Sequence, residues 1–351
     1  MLEKDNIWRW LARPAEDLAD KVREAEELTS QKVQLALQLA SQKIREARKL
    51  SNPQERTAAG MALLMRWTMP VLGERDNYQP RRLNFIKTAQ PPECSPPRLP
   101  RPVLFLHGYN AAVTEFCEMA AWLSGHEANG DGGRLGLDNL SEITENARLF
   151  RLEFTTPYQR VADNVVEISA AVEAICQATH FDMIDVVAHS KGGLDIRAYL
   201  NADNSRIASV VTIATPHRGA ELADISCQFR QKLGEEKLPC DDSILHLEML
   251  REFFVDREKP DGHPNNAFLR RLNDDWPRQC ENTRFLTVGG TGVPTLMAAG
   301  LTMDGDGIVT FESATALAGA RVGMVKGVLH SHLSATAAAM KQTADFLSDS
   351  Q

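Results

Sequence analysis

The sequence predicts an α/β protein built on a mostly parallel sheet with helices on both faces. Three short apolar runs carry this expectation: Pro102-Val-Leu-Phe-Leu106, Asp185-Val-Val-Ala188 and Ser209-Val-Val-Thr-Ile213. Each is rich in β-branched or large apolar residues, each stops at a small or polar cluster, and helix-compatible stretches separate them. Buried strands alternating with helical patterns are the signature of βαβ units and hence of a parallel sheet.

The second run ends in Ala188-His-Ser-Lys-Gly-Gly193. A strand that stops at a serine flanked by small residues two places away on each side, then enters a helix, has the layout of a strained strand-to-helix turn that lifts the serine Oγ to the rim of a sheet. Ala188 and Gly192 are the small residues here. Such a pentapeptide alone is a weak signal, because short motifs arise by chance. Its surroundings strengthen it, since the first run ends at His107-Gly-Tyr-Asn110 and the third at Thr215-Pro-His-Arg-Gly219.

These blocks, in this order and spacing, resemble the lipase-like branch of the α/β-hydrolase superfamily, including bacterial triacylglycerol lipases and related esterases. The likeness extends over about residues 101–220 and 284–345, leaving out the first hundred residues and the segment near 225–282. It implies an α/β-hydrolase fold and a serine carboxylic-ester hydrolase with Ser190 as nucleophile. An acyltransferase or thioesterase would use the same triad, and a non-catalytic protein on this scaffold would be expected to have lost a triad member. In this superfamily the acid and then the base follow the serine along the chain. Met303-Asp-Gly-Asp-Gly-Ile-Val309 is similar to the lipases' acid block, which assigns the acid to Asp306 with Asp304 as second candidate. Their His-Leu block matches His332-Leu333, which makes His332 the expected base and His330 the runner-up. The resemblance also implies that main-chain N–H groups of Tyr109 and Lys191 form the oxyanion hole. Small-molecule or lipid acyl esters are the implied substrates.

Other histidines read more blandly. His107, His189 and His217 are expected to be structural hydrogen-bonding groups near the site, and His126, His180, His246 and His263 surface or loop residues. No H-E-x-x-H or paired C-x-x-C pattern occurs, so neither a catalytic metal nor another cofactor is expected. Several bacterial lipases carry a calcium-binding aspartate two residues after the catalytic histidine. Counted from His332 that position is Ser334, so no structural calcium is expected.

Composition bounds the rest. The chain has 351 residues, 43% hydrophobic and 25% charged, with a net charge of −8 and no basic cluster, which argues against a nucleic-acid partner. Six cysteines, at 94, 117, 176, 227, 240 and 280, lack framework spacing. Pairing of Cys240 with Cys280 stays open. The N-terminus has no apolar core of a secretion signal, and no run of eighteen apolar residues occurs, so a cytoplasmic location is expected.

Residues 1–75 are expected to form a helical extension. Leu18, Val22 and Ala25, then Val33, Leu37, Ala40 and Ile44, recur at spacings of three and four among charged residues. Ser51-Asn-Pro53 ends that helix, and a second carries Met61, Leu64, Met65 and Trp67. A hairpin covering the catalytic domain is the primary reading. Peripheral membrane contact through Ile7, Trp8, Trp10 and Leu11 is the other. A proline-rich linker is expected over 76–101 and the catalytic domain over 102–351, with a cap insert at about 223–282. The oligomeric state is not legible.

Overall fold

The computed structural model describes residues 91–349, except 110, 157–158, 204, 222, 224–250, 259–263, 294, 298–299 and 303. The N-terminal helices, Cys227 and Cys240, and the first part of the insert therefore lie outside the described residues.

The chain enters the domain at β1 (Val103–Leu106) and continues through a 3₁₀ turn at Val113–Phe116 into α1 (Cys117–Leu123). Next come β2 (Gly130–Leu135), β3 (Ala147–Leu152), α2 (Val161–Thr179), β4 (Ile184–His189), α3 (Lys191–Ala202) and β5 (Ile207–Ile213). After the insert's α4 (Ala267–Asp274) and α5 (Trp276–Gln279) follow β6 (Arg284–Thr291) and the small antiparallel pair β7 (Thr295–Met297) and β8 (Gly300–Thr302). The chain closes with α6 (Phe311–Ala314), β9 (Arg321–Lys326), a 3₁₀ turn over His330–Ala335 and α7 (Ala337–Ser348).

Seven strands form one sheet in the order β2-β3-β1-β4-β5-β6-β9, and every pairing is parallel. Helices cover both faces, which is why β1 and β4 are buried along their whole length and read as continuous apolar runs. The two-residue alternation of a strand divides β1 between two cores. Leu104 and Leu106 face α2 and α3, whereas Val103 and Phe105 face α1 and α7. From β1 the chain passes to the edge at β2, returns to β3 beside β1, and then restarts at β4 on the other side of β1. The switch point between β1 and β4 opens a crevice at their carboxyl ends.

Two parts of the expected organisation acquire detail. The end of the proline-rich stretch is docked: Trp122 Nε1 donates to the Cys94 carbonyl at 3.1 Å, Asn129 caps the Pro97 carbonyl at 2.9 Å, and Leu99 is buried. The described part of the insert is likewise anchored, with Leu269, Leu272 and Trp276 buried. Asn266 caps α4 through the Leu269 N–H and donates to the carbonyls of Glu252 and Phe254. That one amide joins the two ends of the insert's described part. Cys280 is a free thiol whose Sγ lies 3.5 Å from the Pro277 carbonyl.

Beneath α4 and α5 sits Arg197 of α3, with no exposed surface. Its guanidinium donates to Gln279 Oε1 at 2.8 Å and to the Leu272 carbonyl at 2.8 Å, and it lies 5.6 Å from the Trp276 ring. Burial pushes its pKa down to about 9. His217 meets the same guanidinium at 3.3 Å through Nδ1, while its Nε2 reaches Thr212 Oγ1 at 3.0 Å. Burial first, and the cation second, hold His217 well below the ordinary histidine range, so it is neutral and accepts from the arginine.

Arg197→Ala should therefore lower stability by about 2–4 kcal/mol, because it leaves Gln279 Oε1 and His217 Nδ1 without their donor and opens a cavity. Arg197→Lys should recover little of this, since an ammonium lacks the planar fork. Urea denaturation followed by tryptophan fluorescence measures both. A change under about 0.5 kcal/mol for Arg197→Ala would contradict this account of how the insert is held.

Candidate active site

Ser190 lies between the last residue of β4 and the first of α3, with φ 50° and ψ −120°. That backbone region is costly for a residue with a Cβ, on the order of 1–3 kcal/mol, and persists only where the surroundings enforce it. The Ser190 N–H is held by the Ile213 carbonyl at 2.9 Å. The helix that follows runs so close to β1 that a Cβ on Gly192 would lie 2.6 Å from the Leu106 carbonyl oxygen. A small residue at position 192 is thus a steric requirement of the turn.

Above the serine, His330 Nε2 lies 2.9 Å from Ser190 Oγ, and His330 Nδ1 lies 2.9 Å from Asp306 Oδ2. Asp306 is wholly buried, and its other oxygen accepts the N–H groups of Ile308 at 3.0 Å and Val309 at 2.8 Å. A carboxylate only accepts, so Nδ1 carries the proton and Nε2 offers its lone pair to the serine hydroxyl. Room for Asp306 comes from Gly290 on β6, where a Cβ would stand 2.6 Å from the aspartate Cβ.

The histidine in this chain of contacts is His330, which corrects the assignment of His332. His330 opens the 3₁₀ turn after β9, and its N–H also donates to the Asp306 carbonyl at 2.9 Å. Two residues further along a helix of three residues per turn, a side chain is rotated by about two-thirds of a turn. His332 accordingly points elsewhere, with Nδ1 2.9 Å from Ser331 Oγ. Two residues after His330 stands His332, while Ser334 Oγ donates to the Glu115 carbonyl at 3.3 Å. Among the described residues no group of three potential ligands is arranged to hold a metal ion. Asp304 is exposed, and its carbonyl receives the Phe311 N–H at 2.9 Å.

Lys191 is the first residue of α3, where N–H groups have no intrahelical acceptor. Its ammonium is buried and points away into an ion pair with Asp195 at 2.7 Å. Burial pushes the Asp195 carboxyl up, against the pull of Lys191. Tyr109 follows Gly108, whose backbone passes so close to the nucleophile that a Cβ there would lie 3.0 Å from Ser190 Cβ. The Tyr109 ring meets Phe253 edge-on at 6.1 Å between centroids. The loop after β1 and the start of α3 therefore both border Ser190.

Glu115 was not visible as a site residue in the sequence, whereas His189 was expected as a structural hydrogen-bonding group near the site. His189 Nε2 donates to the His330 carbonyl at 3.0 Å, and Glu115 Oε2 accepts the Gly108 N–H at 2.9 Å. The only sequence signal for Glu115 is an acidic residue seven places after Gly108, which means nothing without the fold.

The palmitoyl protein thioesterase family model matches residues 102–289, more than half of the chain. The chain belongs to the palmitoyl protein thioesterase family. This family match covers the strand, elbow and insert described above, and it agrees with the lipase-like α/β-hydrolase resemblance. Over 58 residues the chain is 40% identical to a triacylglycerol lipase of Pseudarthrobacter phenanthrenivorans and to one of Burkholderia plantarii. These matches cover 16% of this chain and 18% and 16% of the two relatives, so the chain spans less than a fifth of the curated relatives it matches. Among solved structures, a mature lipase of Bacillus licheniformis superposes with a TM-score of 0.50 at 18% identity, covering 74% of this chain and 97% of that one. At that identity the likeness is one of fold, and the fold of this member of the palmitoyl protein thioesterase family is that of an α/β-hydrolase.

For this family member, His330→Ala should cost several orders of magnitude in kcat, whereas His332→Ala should change it less than about tenfold. Steady-state hydrolysis of an activated ester by the two variants checks the register. Greater damage from His332→Ala would overturn it.

Proposed function

We propose that the protein is a serine hydrolase of acyl esters or thioesters working through an acyl-enzyme on Ser190. The observation that carries this reading is the hydrogen-bonded series Ser190–His330–Asp306 at a strained strand-to-helix turn. In the first step Ser190 Oγ attacks the acyl carbonyl carbon while its proton passes to His330 Nε2. Asp306 stabilises the resulting imidazolium without taking its proton. The oxyanion is met by the N–H groups assigned to Tyr109 and Lys191, each such donor being worth about 3–4 kcal/mol. Collapse expels the alcohol or thiol, which leaves with the proton from His330. Water activated by His330 then releases the acid and restores Ser190.

Membership of the palmitoyl protein thioesterase family favours long-chain thioesters as a second substrate class beside the oxoesters named for the lipase relatives. A series of p-nitrophenyl esters from short to long acyl chains, run beside matched acyl thioesters, sizes the acyl site and ranks the leaving groups. Ser190→Ala should reduce hydrolysis of every member to background and abolish labelling by a fluorophosphonate probe. Persistent labelling of that variant would remove Ser190 from the mechanism.

We read residues 1–75 as an accessory helical unit that covers apolar surface of the catalytic domain, with interfacial membrane contact as the rival. No helix among the described residues is long and apolar enough to cross a membrane. A chain beginning at residue 91, which keeps the docked Cys94–Leu99 stretch, should then aggregate or lose solubility through newly exposed apolar surface. A truncated chain that stays soluble and active but no longer sediments with anionic vesicles would favour the membrane role.

A further inference from the structure

Immediately behind the proposed triad lies a second buried histidine and carboxylate. Glu115 Oε1 stands 2.7 Å from His189 Nδ1, and the two side chains are 9% and 3% exposed. The contact is short but bent from the hydrogen-bond line, which makes it principally ionic. Its two ends reach different parts of the site. Through Oε2, Glu115 accepts the Gly108 N–H at 2.9 Å on the loop after β1. Through Nε2, His189 meets the carbonyl of His330 itself at 3.0 Å, on the loop after β9. The rings of His189 and His330 are 4.8 Å apart.

Proton accounting constrains the pair. A carbonyl only accepts, so His189 Nε2 must carry a hydrogen. A bare Nδ1 lone pair facing an ionised carboxylate at 2.7 Å would be repulsive, so the His189 ring carries a second proton on Nδ1. Burial alone would push the Glu115 carboxyl up and the His189 imidazolium down. Their mutual attraction overrides it, holding Glu115 below its ordinary range and His189 above its own. The other titratable groups around the pair are His107 on the β1 loop, Glu153 after β3, Lys191 on α3, and Asp306 and His330 on the acid and base loops.

We propose that Glu115 and His189 are positioning residues that lock the oxyanion loop after β1 to the base-bearing loop after β9, holding donors and base in register across Ser190. Neither is assigned a bond-making step, and the inference rests on the hydrolase reading above. Gly108 directly precedes Tyr109, one of the assigned donors, so a shift of the β1 loop moves that donor relative to the imidazole. Misplacement on the scale of 1 Å costs catalysis roughly 100-fold.

The sign of the pH dependence follows from the pair. Because His189 is raised, its proton and the link are fully present below the ordinary histidine range and are lost as pH rises through the raised value. Because Glu115 is lowered, its charge persists above the ordinary carboxylate range and is lost only as pH falls through the lowered value.

The test compares wild type, Glu115→Gln and His189→Gln, with kcat normalised to sites titrated by a fluorophosphonate. For Glu115→Gln, kcat should fall roughly 10- to 100-fold with KM nearly unchanged. Its alkaline loss of activity should also begin at lower pH than in wild type, since His189 has lost its counter-charge. His189→Gln keeps an amide donor towards the His330 carbonyl but does not titrate, so the alkaline loss due to the pair should disappear while kcat stays reduced. A merely structural role would lower the fraction of titratable sites and leave kcat per site and both profiles unchanged, which would overturn the proposal. Should either variant fail to fold, a histidine NMR titration of the wild type decides, since His189 must lose its second proton above the ordinary histidine range, and loss below that range would overturn the proposal. A wild type that neither labels nor hydrolyses would instead sink the hydrolase reading, which separates the two failures.

Discussion

The turn from β4 into α3 is the constraint around which the rest of the site is arranged. Holding Ser190 at a positive φ requires that neighbouring backbone approach within contact distance on several sides, so Gly192 must be small against β1 and Gly108 small against the serine itself. The same closeness explains the buried Lys191–Asp195 pair one helical turn away. With the space beside the sheet taken up by backbone, the Lys191 side chain is turned inward and needs a buried counter-charge. Asn164 on α2 then donates to the second Asp195 oxygen at 2.9 Å, which extends the restraint to the neighbouring helix. An unpaired charge in that position would be far more costly than the pair.

Much of this was legible before any coordinates because local chemistry and global position coincide. The buried strands announce themselves by unbroken apolar composition, and the elbow announces itself by small residues at fixed offsets from Ser190. Asp306 stood out through the Gly-Ile-Val that follows it, in which Gly307 takes a φ of 98°. His330 was ranked second because His332-Leu333 matched a sequence block better, although the decisive quantity is angular. Within a 3₁₀ turn, side chains two residues apart point about two-thirds of a turn away from each other, and no spacing rule applied to the sequence alone says which histidine begins the turn. Glu115 and Arg197 illustrate a different gap. Their partners His189, Leu272 and Gln279 lie 74, 75 and 82 residues away, so only the fold gives them meaning.

Arg197 and the insert make the same point for organisation. The long separation between β5 and β6 read as a cap, and its described C-terminal part is held by a buried guanidinium, a tryptophan and two amides. Polar groups there join the apolar contacts of Leu269, Leu272 and Trp276. Such a network is directional, and it fixes the orientation of α4 and α5 more tightly than a greasy surface would.

The sheet order also sets a sequence of events when the chain is made. Ser190 sits on the central strand, but His330 follows β9, an outermost strand, 140 residues further on. A nascent chain can therefore pair β1, β3, β4 and β5 and display its serine long before the imidazole leaves the ribosome. On the proposed triad, that serine would lack its imidazole partner until β9 docks on β6. Reactivity would then arrive with the edge strand. Recovery of turnover during refolding would then report on edge-strand docking, while labelling of bulk secondary structure would be complete earlier.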